Sequence, residues 1–124
     1  MIKSRIKISS FSFSFMTISF SEFKKVQMKV GKVIDAEKVE GSEKLIKMVV
    51  DFGTEKRQVI AGIAKWYGPG ELIGKKFVFV TNLEPKKMMG LESQAMILAA
   101  MDEGGNLALV TLDKSSIKEG SPIS

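Results

Sequence analysis

The segment from Asn82 to Ser93 carries residue types that can contact a polyanion. It reads Asn-Leu-Glu-Pro-Lys-Lys-Met-Met-Gly-Leu-Glu-Ser, so a proline and a glycine lie on either side of the adjacent lysines Lys86 and Lys87. Proline and glycine restrict and turn a chain, which predicts a loop-like connection that presents both ammonium groups. Two such groups suit successive phosphates of a nucleic acid backbone. The amide of Asn82 and the hydroxyl of Ser93 can hydrogen-bond to bases or sugars.

The same residue types also have ordinary structural interpretations. A lysine pair in a loop is usually a solvated surface feature, and Met88 and Met89 are of a type that fills cores more often than it forms contact surface. Trp66 and Tyr67 would stack on unpaired bases if they were exposed, but aromatic residues more often pack inside a domain. Residue chemistry alone therefore indicates a small basic domain with a candidate nucleic-acid loop.

Cysteine and histidine are both absent from the chain. The first absence excludes disulfides, thiolate metal sites and cysteine nucleophiles, and it is typical of a reducing compartment such as the cytoplasm. The second removes a common metal ligand and the usual acid–base group near neutral pH. No glycine-rich phosphate-binding signature of a nucleotide hydrolase is present either. We therefore predict no enzymatic activity, no catalytic residue, no metal site and no cofactor.

Length and charge favour one domain with a polyanionic partner. The chain has 124 residues, of which 44% are apolar, which is enough for a single core. Nineteen basic residues against 14 acidic ones give a net charge of +5 and a pI near 9.5. The excess is modest, so any attraction to a nucleic acid must come from a local group of cations.

Short apolar runs separated by turn residues occupy most of the chain after residue 25. They predict strands at about residues 26–39, 45–52, 57–63, 75–82, 95–101 and 106–112. The first three should form an antiparallel meander, with a possible bulge at Gly31, and the last two a hairpin. Residues 64–74 should hold at most short helical turns, and the tail from Ser115 should be irregular. This pattern predicts an all-β fold, either a small closed or partly open barrel or a sandwich.

The N-terminal residues 1–20 combine a basic start with alternating phenylalanine and serine, a period-2 pattern that predicts a strand. Serines interrupt every apolar run well short of the roughly 18 residues of a membrane span, and no signal-peptide cleavage site follows. No membrane association is therefore expected.

Two interpretations of the first residues stay open. Translation could begin naturally at Met16, in which case residues 1–15 are not native and add no function. Alternatively, Phe11, Phe13 and Phe15 form an edge strand that packs on the domain or on a second copy of the chain. We predict an N-terminal extension at residues 1–19 and one domain at residues 20–124.

Five ordered blocks carry a family resemblance. They are Phe23-Lys-Lys-Val-Gln-Met-Lys-Val-Gly-Lys-Val, Val39-Glu-Gly-Ser-Glu-Lys-Leu, Val59-Ile-Ala-Gly-Ile-Ala-Lys-Trp-Tyr, the run from Asn82 to Ala99, and Lys118-Glu-Gly. Together they resemble the tRNA-binding domain family, which includes free-standing structure-specific tRNA-binding proteins and the C-terminal domain or β subunit of methionyl-tRNA synthetase.

The resemblance implies an oligonucleotide/oligosaccharide-binding (OB) barrel, often a homodimer. Such a protein recognises the shape of tRNA more than its sequence and raises the tRNA affinity of a synthetase, here a methionyl-tRNA synthetase catalytic chain. The residues that the resemblance assigns to tRNA binding are Asn82, Lys86, Lys87, Ser93 and Met96, with Lys32 on the first strand as a further candidate. Ala95 departs from the family pattern, which more often has glycine there.

A second class, the secretion-associated CsaA chaperone, is similar in its Pro-basic-basic-x-x-Gly loop but binds unfolded polypeptide. The loop alone does not separate the two functions. The blocks Glu40-Gly-Ser-Glu-Lys-Leu and Ala61-Gly-Ile-Ala-Lys-Trp-Tyr resemble the tRNA-binding branch better and favour tRNA as the ligand.

Overall fold

The computed structural model of the chain describes residues 16–124, and the regular secondary structure in that range is mostly β-strand. The described residues also include the short helix α1 (Phe20–Phe23) and a 3-10 turn (Pro69–Glu71). The strands are β1 (Met28–Lys38), β2 (Ile46–Asp51), β3 (Lys56–Ala61), β4 (Lys76–Val80), β5 (Lys86–Met88), β6 (Leu91–Ser93), β7 (Met96–Ile97), β8 (Ala99–Met101), β9 (Leu107–Leu109) and β10 (Pro122–Ile123). The predicted all-β class with short helical turns is confirmed.

A long central strand, β1, organises the barrel. Its first half pairs with β4 and its second half with β2, both antiparallel, and the sheet order is β3-β2-β1-β4-β7. A register shift between Val33 and Asp35 marks a bulge, and bulges bend the strand that carries them. Because β1 pairs with two neighbouring strands and bends at the bulge, the sheet curls into a nearly closed OB barrel.

The core fills the barrel interior with side chains from alternate strand positions. Its buried members include Val33, Ile46, Met48, Val50, Phe52, Val59, Ile63, Leu72, Phe77, Phe79, Ile97 and Leu109. The rings of Phe52 and Phe79 meet edge to face, with centroids 5.3 Å apart. The burial of alternate residues agrees with the alternation predicted from the apolar pattern of the sequence. The predicted β1–β3 meander and β8–β9 hairpin are also confirmed.

The expectation of a bulge at Gly31 is wrong. Gly31 pairs regularly with Phe77, and the bulge lies three residues further on, between Val33 and Asp35. A Cβ at position 31 would lie 2.5 Å from Val50 Cγ1 and within 2.8 Å of two phenylalanine rings. The glycine therefore allows the core to approach the backbone of β1 closely.

Two further segments differ from the structure predicted for them from the sequence. The tail is not wholly irregular, because β10 pairs with the start of β1, Ile123 opposite Met28. The segment predicted as a loop, Asn82–Ser93, contains a β-hairpin formed by β5 and β6.

The N-terminal expectations fall largely outside the described residues. Phe11, Phe13 and Phe15 lie there, so the edge-strand interpretation and the division of the chain at residue 19 stay predictions. Within residues 16–124, α1 begins after Ser19, which forms a capping box with Glu22. No helix in that range is long and apolar enough to cross a membrane.

Candidate nucleic-acid interface

The segment Asn82–Ser93, called the arm below, leaves the barrel after β4 and returns to it before β7. Its strands β5 and β6 form three cross-strand pairs, and Met89 and Gly90 make the turn. Both turn residues have positive φ, 50° at Met89 and 80° at Gly90, as in the two-residue turns that match the twist of a hairpin. Among residues 16–124, Met89 is the only non-glycine residue with positive φ.

The hairpin separates the two lysines that the sequence placed side by side. Successive residues of a strand point to opposite faces, so Lys86 and Lys87 project in opposite directions. Lys86 pairs with Ser93 and lines a groove, whereas Lys87 pairs with Glu92 on the other face. Both lysines are exposed, and neither forms an ion pair within residues 16–124.

An apolar groove of about 330 Å³ lies between the arm, β3 and β7. Lys86 and Glu84 contribute its charged side chains, and Met96 is 46% exposed in its wall. The remaining lining residues are mostly apolar: Ile60, Ala61, Gly62, Ile63, Leu83, Met88, Ser93, Ala95, Ile97 and Ala99. Three of the predicted site residues, Lys86, Ser93 and Met96, therefore meet at this groove.

Ser93 is held inside the protein. It is only 5% exposed, and its hydroxyl accepts a hydrogen bond from the Ile60 amide at 2.9 Å and donates to the Ala95 carbonyl at 3.0 Å. The bond from Ile60 joins β6 to the edge strand β3 and so helps to close the barrel. The hydroxyl therefore lies at the groove but is hydrogen-bonded within the chain. Its assignment to tRNA contact stays a prediction.

Asn82 connects the start of the arm to the segment before β1. Its Oδ1 accepts from the Gln27 amide at 2.8 Å, and its Nδ2 donates to the Lys25 carbonyl at 2.6 Å. Asparagine is well suited to this because one amide group both donates and accepts. The side chain is exposed, but its polar atoms have partners within the chain.

Lys32 lies in a different region from the arm. It is on β1 between Asp51 and Lys76, in a hollow of about 390 Å³ that we call the Lys32 hollow, lined by Lys32, Gly74, Lys75, Lys76, Thr111, Leu112 and Ser115. Lys76 Nζ is already used there, because it donates to the carbonyls of Ser115 and Ile117 at 2.8 and 2.7 Å. The predicted site residues thus fall into two separate regions.

Trp66 and Tyr67 serve mainly structural contacts. Both are half-buried, the Trp66 indole donates to the Gly105 carbonyl at 2.9 Å, and the Tyr67 hydroxyl accepts from the Leu109 amide at 3.1 Å. The packing interpretation of these aromatics fits the structure better than an open stacking platform.

Sequence reasoning missed the residues that hold the arm to β3. Arg57, Gln58 and Gln94 form hydrogen bonds between β3 and the two ends of the arm. The bonded residues are 24 to 37 positions apart in the chain, so no local spacing indicates them. The one available signal was the polar run Lys56-Arg57-Gln58, which forms the first half of β3.

No group of three or more acidic side chains within residues 16–124 is arranged to hold a metal ion. Only two carboxyl groups there show a clear pKa shift. The pKa of Glu55 is lowered mainly by its hydrogen bond with Arg57, and that of Asp102 by hydrogen bonds from Asn106. Neither group lines the groove beside the arm.

Residues 28–122 match a family model described as "Putative tRNA binding domain". Among curated proteins, the chain is 55% identical over 107 residues to the methionine–tRNA ligase of Caldanaerobacter subterraneus subsp. tengcongensis. It is 50% identical over 107 residues to that of Thermotoga maritima. Each alignment covers 86% of this chain but only 16% and 17% of the ligase, so the chain spans about a sixth of the length of these relatives.

Solved structures similar to the barrel include proteins of comparable length. A methionyl-tRNA synthetase (MetRS) related protein from Pyrococcus horikoshii has a TM-score of 0.83 and 45% identity, with 87% of this chain and 98% of that chain covered. The chaperone CsaA of Bacillus anthracis has a TM-score of 0.78 and 30% identity, with 87% and 99% covered.

Proposed function

The chain belongs to the tRNA-binding domain family, and on that premise we propose that it binds folded tRNA through the arm and acts in trans to aid a methionyl-tRNA synthetase. The observation that carries the proposal is the match of residues 28–122, which spans the whole barrel together with the arm. Within residues 16–124, the arm supplies two cations that form no ion pair, Lys86 and Lys87, on its strand β5.

Recognition of tRNA shape, rather than of base sequence, is supported by how the polar groups of the arm are used. The amide of Asn82 and the hydroxyl of Ser93 are the groups best able to read a base edge, and both have partners within the chain. The lysines are left to contact phosphates, which carry no sequence information. Because they point to opposite faces of the hairpin, they suit phosphates of two backbone segments that a folded RNA brings together.

The proposed action in trans is supported by one of the similar proteins. Methionine–tRNA ligases contain a segment similar to this chain within a much longer protein, whereas the MetRS related protein of Pyrococcus horikoshii is matched over 98% of its own chain. The chain would raise the tRNA affinity of the synthetase and would not itself be an enzyme. The same function implies a cytoplasmic location, where tRNA is charged.

Homodimerisation is also part of the proposal. The segment around α1 exposes large apolar side chains that a monomer leaves in water: Ile18 is 63% exposed, Phe20 74%, Phe23 38% and Val26 42%. Contiguous exposed apolar groups often mark an interaction surface, and a second copy would cover them symmetrically. Sedimentation at micromolar concentration should give a dimer, and a monomer would contradict this part of the proposal.

A competition experiment tests tRNA binding. Folded tRNAs of different sequence should displace one another from the protein at similar concentrations, whereas an unstructured RNA of equal length should compete far less well. Equal competition by the unstructured RNA would contradict recognition of shape. Aminoacylation by a methionyl-tRNA synthetase catalytic chain lacking this domain, with the protein added separately, should show a lower KM for tRNA.

A second candidate function, binding of unfolded polypeptide, is favoured by the apolar groove beside the arm. A groove lined mainly by aliphatic side chains and methionine can accept apolar side chains of varied shape. CsaA chaperones are among the similar structures. This function predicts that a denatured protein still binds at salt concentrations that abolish RNA binding. Loss of both ligands over the same salt range would exclude it.

A further inference from the structure

The two ends of the arm are joined to the edge strand β3 by a single side chain. Arg57 Nη1 donates to the carbonyl of Thr81, just before the arm, at 2.6 Å and to that of Gln94, just after it, at 3.1 Å. Arg57 Nη2 donates to Glu55 Oε2 at 2.9 Å. One guanidinium therefore fixes where the arm leaves the barrel and where it returns.

The position of Arg57 does not suit direct contact with RNA. Its side chain is 23% exposed, and its guanidinium lies 5.8 Å from the centre of the Phe52 ring. Both terminal nitrogens already donate to groups of the chain. A phosphate could replace these partners only by opening the base of the arm.

Two glutamines extend the same connection. Gln58 Nε2 donates to the Glu92 carbonyl at 2.9 Å, the Gln94 amide donates to the Gln58 carbonyl at 2.8 Å, and the Gln58 amide donates to Gln94 Oε1 at 3.0 Å. The arm itself has only three cross-strand pairs. A two-stranded hairpin of that size is marginally stable alone, so its direction depends on how its base is held.

We propose that Arg57 is a positioning residue for tRNA binding. By holding both ends of the arm against β3, it sets the angle at which Lys86 and Lys87 reach the RNA backbone. This role rests on the proposed function, because it matters only if the arm binds tRNA. It adds a residue that no comparison assigns to the site and that does not contact the ligand.

The geometry of these contacts suits an arginine. Its planar guanidinium holds several N–H groups in a fixed fork, so it can donate to two carbonyls and a carboxylate at once. A lysine keeps the positive charge but has one compact ammonium group on a flexible stem. Replacement of Arg57 by lysine therefore keeps the positive charge and removes the forked arrangement of N–H donors, so it tests the hydrogen-bond geometry separately from the charge.

The test is a double-mutant cycle on tRNA affinity with the full chain. Arg57→Lys should weaken binding of folded tRNA by about tenfold, as expected when one or two phosphate contacts are lost. In a background that already carries Lys86→Ala and Lys87→Ala, the same substitution should cost about twofold or less, because residues that act through one another are not additive. Lys56→Ala, which removes an exposed cation from the same strand, is the control and should change affinity by no more than about twofold.

Each result decides the matter. Binding by Arg57→Lys within twofold of the wild type would overturn the proposal, and so would equal losses in the two backgrounds, since Arg57 would then act independently of the arm. Failure of the wild-type protein itself to bind tRNA would overturn the proposed function as well, which distinguishes the two failures. Circular dichroism establishes that each variant is folded. If Arg57→Lys does not fold, Arg57→Gln, which removes the charge and the forked guanidinium at the same position, replaces it. Wild-type affinity in Arg57→Gln would then overturn the role.

Discussion

The arm and the Lys32 hollow both carry lysines, but the two regions use them differently. On the arm, Lys86 and Lys87 are exposed and have no ion-pair partner within residues 16–124. In the hollow, Lys76 Nζ donates to the Ser115 and Ile117 carbonyls and lies 3.6 Å from Glu119. The first region leaves its positive charges exposed, and the second uses part of its charge to hold the C-terminal tail.

The contrast shows that the number of lysines in a region does not measure its capacity to bind a polyanion. A cation already bonded to carbonyls and a carboxylate must give up those partners before it can contact a phosphate. A cation on a projecting hairpin only loses water and side-chain freedom. We therefore expect phosphate contacts from the arm and little from the hollow, although the family resemblance assigns Lys32 as well.

The largest effect should come from removing both arm lysines. Lys86→Ala combined with Lys87→Ala should weaken tRNA binding by about 10- to 100-fold at low salt, because two phosphate contacts are lost. The matched change in the hollow, Lys32→Ala with Lys75→Ala, should weaken tRNA binding by no more than about threefold. It alters only the long-range electrostatic attraction between the protein and the RNA. Filter binding at one fixed salt concentration gives both values. Equal losses would remove the distinction between the regions.

A substitution in the Lys32 hollow should change the stability of the protein rather than its tRNA affinity. Lys76→Met should lower the free energy of unfolding by about 1–2 kcal/mol, because two backbone carbonyls lose a charged donor. Its tRNA affinity should stay within about twofold of the wild type. Urea unfolding measures the first quantity, and Lys75→Met, at the exposed neighbouring position, is the control that should leave stability unchanged. A large loss of affinity in Lys76→Met would place the hollow in the binding surface.

Much of the barrel could be predicted from the sequence because its cause is local. Alternating apolar residues mark β1, β2 and β3 within each strand, and their turn residues lie directly between them. The arm could not be recognised as a hairpin in the same way. Its strands have three residues each, too short for alternation to show, and its turn uses Met89 before glycine where asparagine is the usual signal.

The roles of the polar site residues were out of reach for a different reason. The Ser93 hydroxyl bonds to a residue 33 positions away, and the Asn82 amide to residues 55 and 57 positions away. Such contacts exist only once the barrel has formed, and a single sequence carries no trace of them. The residue types indicated hydrogen-bonding capacity correctly, but only the fold shows that the chain itself uses it.

A smaller effect, on salt dependence, counts phosphate contacts directly. Lys86→Ala should reduce the slope of log affinity against log salt by about one unit, the contribution of one neutralised phosphate. The same measurement on Lys32→Ala should leave the slope unchanged if the hollow makes no such contact. A lower slope for Lys32→Ala with an unchanged slope for Lys86→Ala would reverse the assignment of the two regions.

The smallest effect concerns the ion pair at the base of the arm and should disappear in acid. The hydrogen bond from Arg57 lowers the pKa of Glu55 below its ordinary value of 4.5, so the ionised carboxylate favours the folded state. Its stabilising contribution is fully present above about pH 4.5 and is lost as the pH falls through the lowered pKa. The free energies of unfolding of the wild type and Glu55→Gln, measured with urea, should therefore differ slightly at pH 7 and converge as the pH falls below the lowered pKa. Because Glu55 is well exposed and the pair is screened by solvent, the difference should also shrink in high salt. A difference that persists unchanged in acid would mean that Glu55 supports the arm by packing rather than by charge, and that the guanidinium of Arg57 holds the arm through the two carbonyls alone.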